Sequence, residues 1–321
     1  MKKFLLSMAL VAIAGAGTQA SAQTAPANAI NGKFSVAADK QVYFSQGNLQ
    51  YTQSTKTWSF AANQYDIIGE ANITDGALAD KIDLFGWSAS NTTAPFGIST
   101  STDYSDYYGD YYDDFVDWGT KTIGDDAPNT WRTLTYGEWI YLLKYTRWTM
   151  AMVNGTLGFM LLPDGKDIAG VSVLGDGNIS SGFLGAYLNF NESDYADNQY
   201  TAEQFAQLEA QGCVFLPCAG YRVGSDVGKV GSYGPYWSAS PYGSDRAGYL
   251  GFSSTYAKTY NQNNRYYGLS VRLVQDVKAI GTGIAEAATT GNVETRKVLR
   301  DGQILIQRGE ETYTVMGETL K

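Results

Sequence analysis

Between Cys218 and Val274 this chain is built from tyrosine, with few of the Leu, Ile and Val side chains that usually fill a core. Eight tyrosines fall between Tyr233 and Tyr267, interleaved with Gly, Ser, Asn and Arg. Such a mixture gives broad, stiff ring faces and adaptable hydrogen bonds at small entropic cost, the composition of binding loops. A stretch made only to pack would draw on branched aliphatics. The expectation is a recognition surface carried on a folded scaffold. Tyr242, Tyr249, Tyr256, Tyr260, Tyr266 and Tyr267 supply its ring faces, and Asp245, Arg246, Asn261, Asn263 and Arg265 its orienting polar groups.

What the chain omits narrows the chemistry. It contains no histidine, which removes the commonest general base, the Ser-His and Cys-His nucleophile pairs and most zinc sites. Its two cysteines, Cys213 and Cys218, flank Val-Phe-Leu-Pro, which reads as extended strand. Residues five apart on a strand face opposite sides, roughly 16 Å apart, whereas a disulfide needs Cα atoms within about 7 Å. Two buried free thiols are expected; a bridge would demand a sharp bend at Pro217. Asp103 to Asp126 holds eight aspartates and one base, Lys121, among Tyr104, Tyr107, Tyr108, Tyr111 and Tyr112. A solvated acidic loop with tyrosines beneath it is one reading. A calcium site is the other, since that ion takes hard oxygen ligands, although the spacing fits no EF-hand loop. No catalytic residue and no metal ligand set is assigned, and no cofactor is expected unless the acidic stretch holds calcium.

The N-terminus reads as a signal peptide over residues 1–22: Lys2 and Lys3, an apolar run from Phe4 to Ala16, then Ala20-Ser21-Ala22 as a cleavage site, so that the mature chain starts at Gln23. No cysteine follows the run, which argues against a lipoprotein anchor. No other stretch reaches 18 uninterrupted apolar residues, so no transmembrane segment is expected. The net charge of −9 disfavours nucleic acid, whose phosphates need neutralising, and disfavours anionic lipid.

A leader over 23–32 precedes a main domain over 33–276. Strand alternation runs from Lys33 to Tyr51 and returns at Trp58 and Phe60. Trp131 to Met150 carries Leu134, Trp139, Leu142 and Leu143 at helical spacing, with Thr135 as N-cap and Glu138 completing a capping box. Thr201 to Gln211 repeats that start with Thr201 and Gln204. Gly158–Leu162 and Val214–Leu216 read as short buried strands, each closed by Leu-Pro. The remainder, rich in Gly, Ser, Asn and Asp, reads as long ordered loops. A Gly/Ala/Thr-rich linker covers 277–295. The tail, 296–321, shows a β pattern with turns at Asp301-Gly302 and Arg308-Gly309; it either docks on the main domain or acts as a label for export machinery.

Three motif blocks carry a resemblance. Trp131-Arg132-Thr133-Leu134-Thr135-Tyr136-Gly137-Glu138-Trp139-Ile140-Tyr141-Leu142 resembles the R-L-P-T-x-x-E-W-x-Y signature of the formylglycine-generating-enzyme-like branch of the C-type lectin fold. Tyr236-Trp237-Ser238-Ala239-Ser240 and Gly268-Leu269-Ser270-Val271-Arg272-Leu273-Val274 resemble the W-S-S-S and G-F-S-V-R-C-V elements of the Fibrobacter succinogenes major paralogous domain. The resemblance implies an exported Bacteroidetes protein with an α+β, C-type-lectin-like fold, long ordered loops and a small C-terminal β tail. The tail itself resembles type IX secretion sorting tails. Structural roles fall to Arg132, Glu138, Trp139, Trp237 and Arg272: the two arginines are offered as buried partners for Glu138, pinning the helix to the final strand. The enzyme branch uses cysteines near its final strands, and no cysteine follows Cys218 here; the E-P-N, Q-P-D and W-N-D sugar motifs have no match either. Tyr242 to Tyr267 is also similar to segments diversified by adenine-mutating retroelements in bacterial and phage lectin-fold proteins.

The sequence therefore favours a secreted or cell-surface recognition protein, adhesin-like, taking a protein or glycan ligand outside the cell, without catalysis. A structural component of the cell surface is the alternative. A formylglycine-generating-type enzyme, or a degenerate relative, is the third reading.

Overall fold

The short stretch from Gly268 to Asp276 pairs in turn with most of the chain around it. Gly268 exchanges backbone hydrogen bonds with Arg222, and Leu269 with Phe85. Ser270 donates to Pro235 and accepts from Trp237, Val271 accepts from Leu49, and Leu273 accepts from Ser45. Leu273–Asp276 then lies between Lys40–Phe44 and Arg132–Thr133 as an antiparallel strand. Glycine at 268 eases this threading, because an added Cβ would stand 3.0 Å from Arg222 Cβ and 3.2 Å from the Leu84 carbonyl oxygen, close enough that its neighbours would have to give slightly.

The computed structural model describes residues 25–89, 115–177, 188–278, 295–300, 303–308, 311–314 and 319–320. The signal segment, the first half of the acidic Tyr/Asp stretch and the linker from 279 to 294 lie outside these. The chain divides into two units, one ending at Val277 and one spanning Lys278–Lys321. The class is α+β and sheet-rich, with two α-helices among the described residues.

Both helices start as their sequences dictate. In α1 (Tyr136–Tyr145) the Glu138 N–H donates to Thr135 Oγ1 (3.2 Å), and Glu138 Oε2 accepts from the Thr135 N–H (2.8 Å). In α2 (Ala202–Ala210) Thr201 and Gln204 make the same reciprocal box. The expected continuation of α1 to Met150 does not occur: Thr146 turns extended and Arg147–Val153 is a strand. The reason is a two-residue period hidden inside an apolar run. Trp148 and Met150 enter one core, and Ala151 and Val153 another. Thr156–Leu162 and Val214–Pro217 divide in the same way, so this central antiparallel sheet is buried on both faces. Cys213 and Cys218 consequently point into opposite cores and are both free. A third core gathers Trp58, Trp87, Trp118, Trp131 and Trp237 around Leu269, Val271 and Leu273.

The tyrosine-rich stretch expected as loops is instead regular. Tyr233–Tyr242, Arg246–Ser253 and Tyr256–Asn264 form an antiparallel meander, with Leu188–Asn189 at its edge. Tyr, Thr and Trp favour pleated, half-buried surfaces, and the small residues between them pack beneath the rings. In the second unit Thr295–Arg300, Gln303–Arg308, Glu311–Thr314 and Thr319–Leu320 follow one another as an antiparallel sheet, with Arg300 opposite Gln303. Residues 301, 302 and 309, on which the expected turns fall, are outside the described set.

The helix is tied to the closing strand as expected for Arg132 but not for Arg272. Arg132 donates to both Glu138 oxygens (2.8 and 2.9 Å) and to Asp276 (2.6 Å), and Lys40 reaches Glu138 at 3.1 Å. Burial alone would raise the Glu138 carboxyl, but the hydrogen bonds from Arg132 and Thr135 and the Arg132 charge hold it below its ordinary value. Arg272 lies elsewhere, 1% exposed. It donates to Gln64 Oε1 (2.7 Å), Asn48 Oδ1 and the Phe215 carbonyl, with Nε making no hydrogen bond. Burial pulls its guanidinium down to about 10.

Asp83 is fully buried, accepting from the Ile68 N–H (2.9 Å) and Asn72 Nδ2 (2.8 Å). Burial pushes its carboxyl up to about 6, and these bonds offset only part of the rise. A folded-state value above the unfolded one favours the protonated fold. The stabilisation is therefore complete below about 4 and is lost as pH climbs through about 6. Asp83→Asn mimics the neutral acid and should remove this slope. Urea unfolding of both proteins from pH 4 to 7 should show the variant gaining on the wild type by on the order of 3 kcal/mol across the window, at about 1.4 kcal/mol per unit.

Candidate recognition face

A continuous chain of tyrosine contacts runs along one side of the meander, where Tyr221, Tyr249 and Tyr267 pack against the rim of the tryptophan-rich core. Rings of Tyr266 and Tyr267 stand 5.2 Å apart, Tyr267 and Tyr221 6.0 Å, Tyr221 and Tyr233 6.5 Å, and Tyr233 and Tyr256 6.4 Å, centre to centre. Tyr249 joins through its hydroxyl, 3.1 Å from that of Tyr233, and its ring meets Trp237 edge-on at 6.1 Å. All six tyrosines are half-buried. These spacings lie within the range favoured by edge-to-face and offset pairs, so each ring restrains the next. Burial pushes the Tyr233 phenol up, and the neighbouring Tyr249 and Tyr256 add to the shift. Tyr267 is raised chiefly by burial, then by Tyr266 and Tyr221. Both phenols therefore stay neutral at physiological pH.

The strand alternation positions this face. Tyr233, Pro235 and Trp237 share one side of their strand, while Tyr236 turns to the opposite side and is fully buried against Phe252. Gly251 forms the floor. An added Cβ there would lie 2.6 Å from Tyr233 Oη, 2.7 Å from Asn261 Nδ2 and 3.1 Å from Tyr249 Cε2.

Of the residues expected here, Tyr249, Tyr256, Tyr266 and Tyr267 belong to the connected face, and Asn261 borders it, donating to the Lys258 carbonyl. Tyr260 lies on the third strand, and its side chain is outside the described set. Tyr242 (44% exposed) sits at the far end of the meander, opposite Arg246, which is exposed. There it lines a separate cleft with Tyr136 and Gln262. Asp245 belongs to the hairpin end and accepts from the Arg265 N–H through its carbonyl. Asn263 caps the Asn264 N–H. Arg265 is not on the face. It is 2% exposed, stacked 4.5 Å from the Trp87 ring, and donates to the Gly243 and Arg246 carbonyls, so it braces the hairpin from within. Trp139 and Trp237 are core, their indole N–H groups directed at the Trp237 and Phe85 carbonyls. Tyr233 was within reach of sequence reading, since it alternates with Trp237 along one strand. Tyr221 and Tyr136 arrive through tertiary contacts and carried no local signal.

Gly251→Ala should displace only side-chain tips. Its unfolding free energy should stay within about 1 kcal/mol of wild type, while the near-ultraviolet circular dichroism of the tyrosines changes clearly. An unchanged aromatic spectrum would contradict the close contact.

A family described as Domain of unknown function (DUF8237) matches residues 185–274, the span holding α2, the meander and most of the closing stretch. No curated protein and no solved structure matches the chain.

Proposed function

We propose that this chain is an exported recognition protein, secreted or held at the cell surface, that grips a protein or glycan outside the cell with its tyrosine face and performs no catalysis. The connected tyrosines floored by Gly251 carry this reading. Rings already immobilised by one another lose little rotamer freedom on contact, and Tyr combines apolar area with a polar tip. Support for the absence of chemistry comes from the nucleophiles. Both thiols are buried, and burial pushes Cys213 up to about 12 and Cys218 upward as well, far from reactive thiolates. Histidine is lacking altogether.

A C-type-lectin-like arrangement is part of the proposal. It is supported by the meeting of the three motif blocks: Arg132–Thr133 pairs with Leu273–Val274, the Ala239 N–H donates to Leu134 O, and Trp237 N–H donates to Ser270 O. Export through the N-terminal segment and the β tail rests on the sequence patterns alone. No helix among the described residues is long and apolar enough to cross a membrane.

Arrays of glycans and extracellular proteins test the reading. A ligand found this way should bind about a hundredfold more weakly to the combined alanine variant of Tyr256, Tyr266 and Tyr267, given roughly 0.5–1.5 kcal/mol for each lost ring contact. Undiminished binding by a variant that still folds would remove the face from the account.

A further inference from the structure

The far end of the meander holds a cleft of about 90 Å³ that the tyrosine face does not use. Tyr136, at the start of α1, forms one wall, with Pro241 and the exposed Tyr242 also lining the space. Gly248 lets the first wall lie close to the sheet: a Cβ there would stand 3.0 Å from Tyr136 Cδ2 and 3.2 Å from Ser238 Oγ. Tyr136 is fixed from behind as well, its backbone N–H donating to Ser240 Oγ at 3.0 Å. Every residue lining the cleft is uncharged, so a phosphate, carboxylate or ammonium would meet no counter-charge there. The cleft is smaller than the apolar cavity of about 150 Å³ that holds a benzene, so a ring would rest across its mouth with one face against the walls.

One polar group is left unanswered. Gln262 lines the cleft, and its carboxamide Oε1 is buried behind that wall with no hydrogen-bond partner. A buried acceptor lacking a donor is a standing deficit, and the terminal torsion of Gln is soft enough to turn that oxygen toward an incoming O–H. A larger cleft of about 350 Å³ beside Tyr195 and Asn198 has no such demand. There the Tyr195 hydroxyl donates to Ser254 O, and Asn198 Nδ2 to Thr149, Met150 and Ser172. A purely aliphatic or aromatic ring would satisfy the walls at Tyr136 and Tyr242 but not Gln262. A pyranose does both, with an apolar C–H face for the tyrosines and hydroxyl donors around its edge.

The geometry points to a subsite for one neutral pyranose ring, lying against Tyr136 and Tyr242 and donating a hydroxyl to Gln262. Its three contact residues, Tyr136, Tyr242 and Gln262, are not part of the tyrosine face; Asn261 alone touches both.

Methyl glycosides of glucose, galactose, mannose and N-acetylglucosamine, offered separately to the full chain, test this by saturation-transfer NMR. At least one should bind in the millimolar range, its ring C–H protons taking most of the saturation. Tyr242→Ala and Gln262→Leu should each weaken that binding about tenfold. Gln262→Glu, which keeps an acceptor, should retain it, as should Tyr145→Ala, an exposed ring outside the cleft. Thermal melts of each variant separate loss of binding from loss of fold. No bound glycoside, binding indifferent to both Tyr242→Ala and Gln262→Leu, or preference for N-acetyltryptophanamide or acetylprolinamide would overturn the assignment. Failure of the tyrosine face on ligand arrays would leave this result untouched, and the reverse also holds.

Discussion

The pairing of Gly268–Asp276 with its neighbours is the constraint on which the first unit rests. Few segments of a protein serve so many partners: Arg222, Phe85, Pro235, Trp237, Leu49 and Ser45 all satisfy backbone groups against it, before it becomes the strand between Lys40–Phe44 and Arg132–Thr133. Buried backbone groups need partners, so these segments cannot settle independently. Its side chains divide likewise. Leu269, Val271 and Leu273 fill the tryptophan-rich core, Val274 the core under α1, and Arg272 spans to Gln64 and Asn48. The charge cluster of Arg132, Glu138, Lys40 and Asp276 then fastens the helix to the end of this strand.

The tyrosine face inherits its rigidity from that arrangement. Trp237 is bonded to Ser270 through its N–H and to Phe85 through its indole, and Tyr249 leans on the Trp237 ring. Tyr221 precedes the Arg222 that pairs with Gly268, and Tyr266 and Tyr267 lead directly into the closing stretch. Rings drawn from separate parts of the chain are thereby brought together by one threaded segment. Arg265, buried under the hairpin against Trp87, holds the opposite end of the meander.

How much of this could be read beforehand depends on the range of the interaction. Both capping boxes are local, and Thr135 with Glu138 and Thr201 with Gln204 were legible as they stand. The opposed burial of Cys213 and Cys218 followed from strand geometry. The end of α1 was not legible, because Trp148 to Val153 is apolar on both faces of a sandwiched strand and shows no alternation of polarity. The partner of Arg272 was hidden for another reason: it is Gln64, an uncharged residue 208 positions away, so matching charges along the chain could not find it. The meander read as loop because Tyr, Asn, Ser and Gly serve both settings, and only the pairing of its strands decides between them.

Native-state hydrogen exchange of three amides tests the keystone role of Gly268–Asp276 most directly. The N–H groups of Ser45, Leu49 and Trp237 donate to Leu273, Val271 and Ser270 respectively; Leu49 and Trp237 belong to different sheets, and Ser45 follows the strand Lys40–Phe44. If the closing stretch locks the unit, all three should exchange only through global unfolding, with one shared opening free energy and one shared denaturant dependence. Exchange of any of them through a cheaper, local opening would mean that the closing stretch is an addition to a scaffold already stable without it.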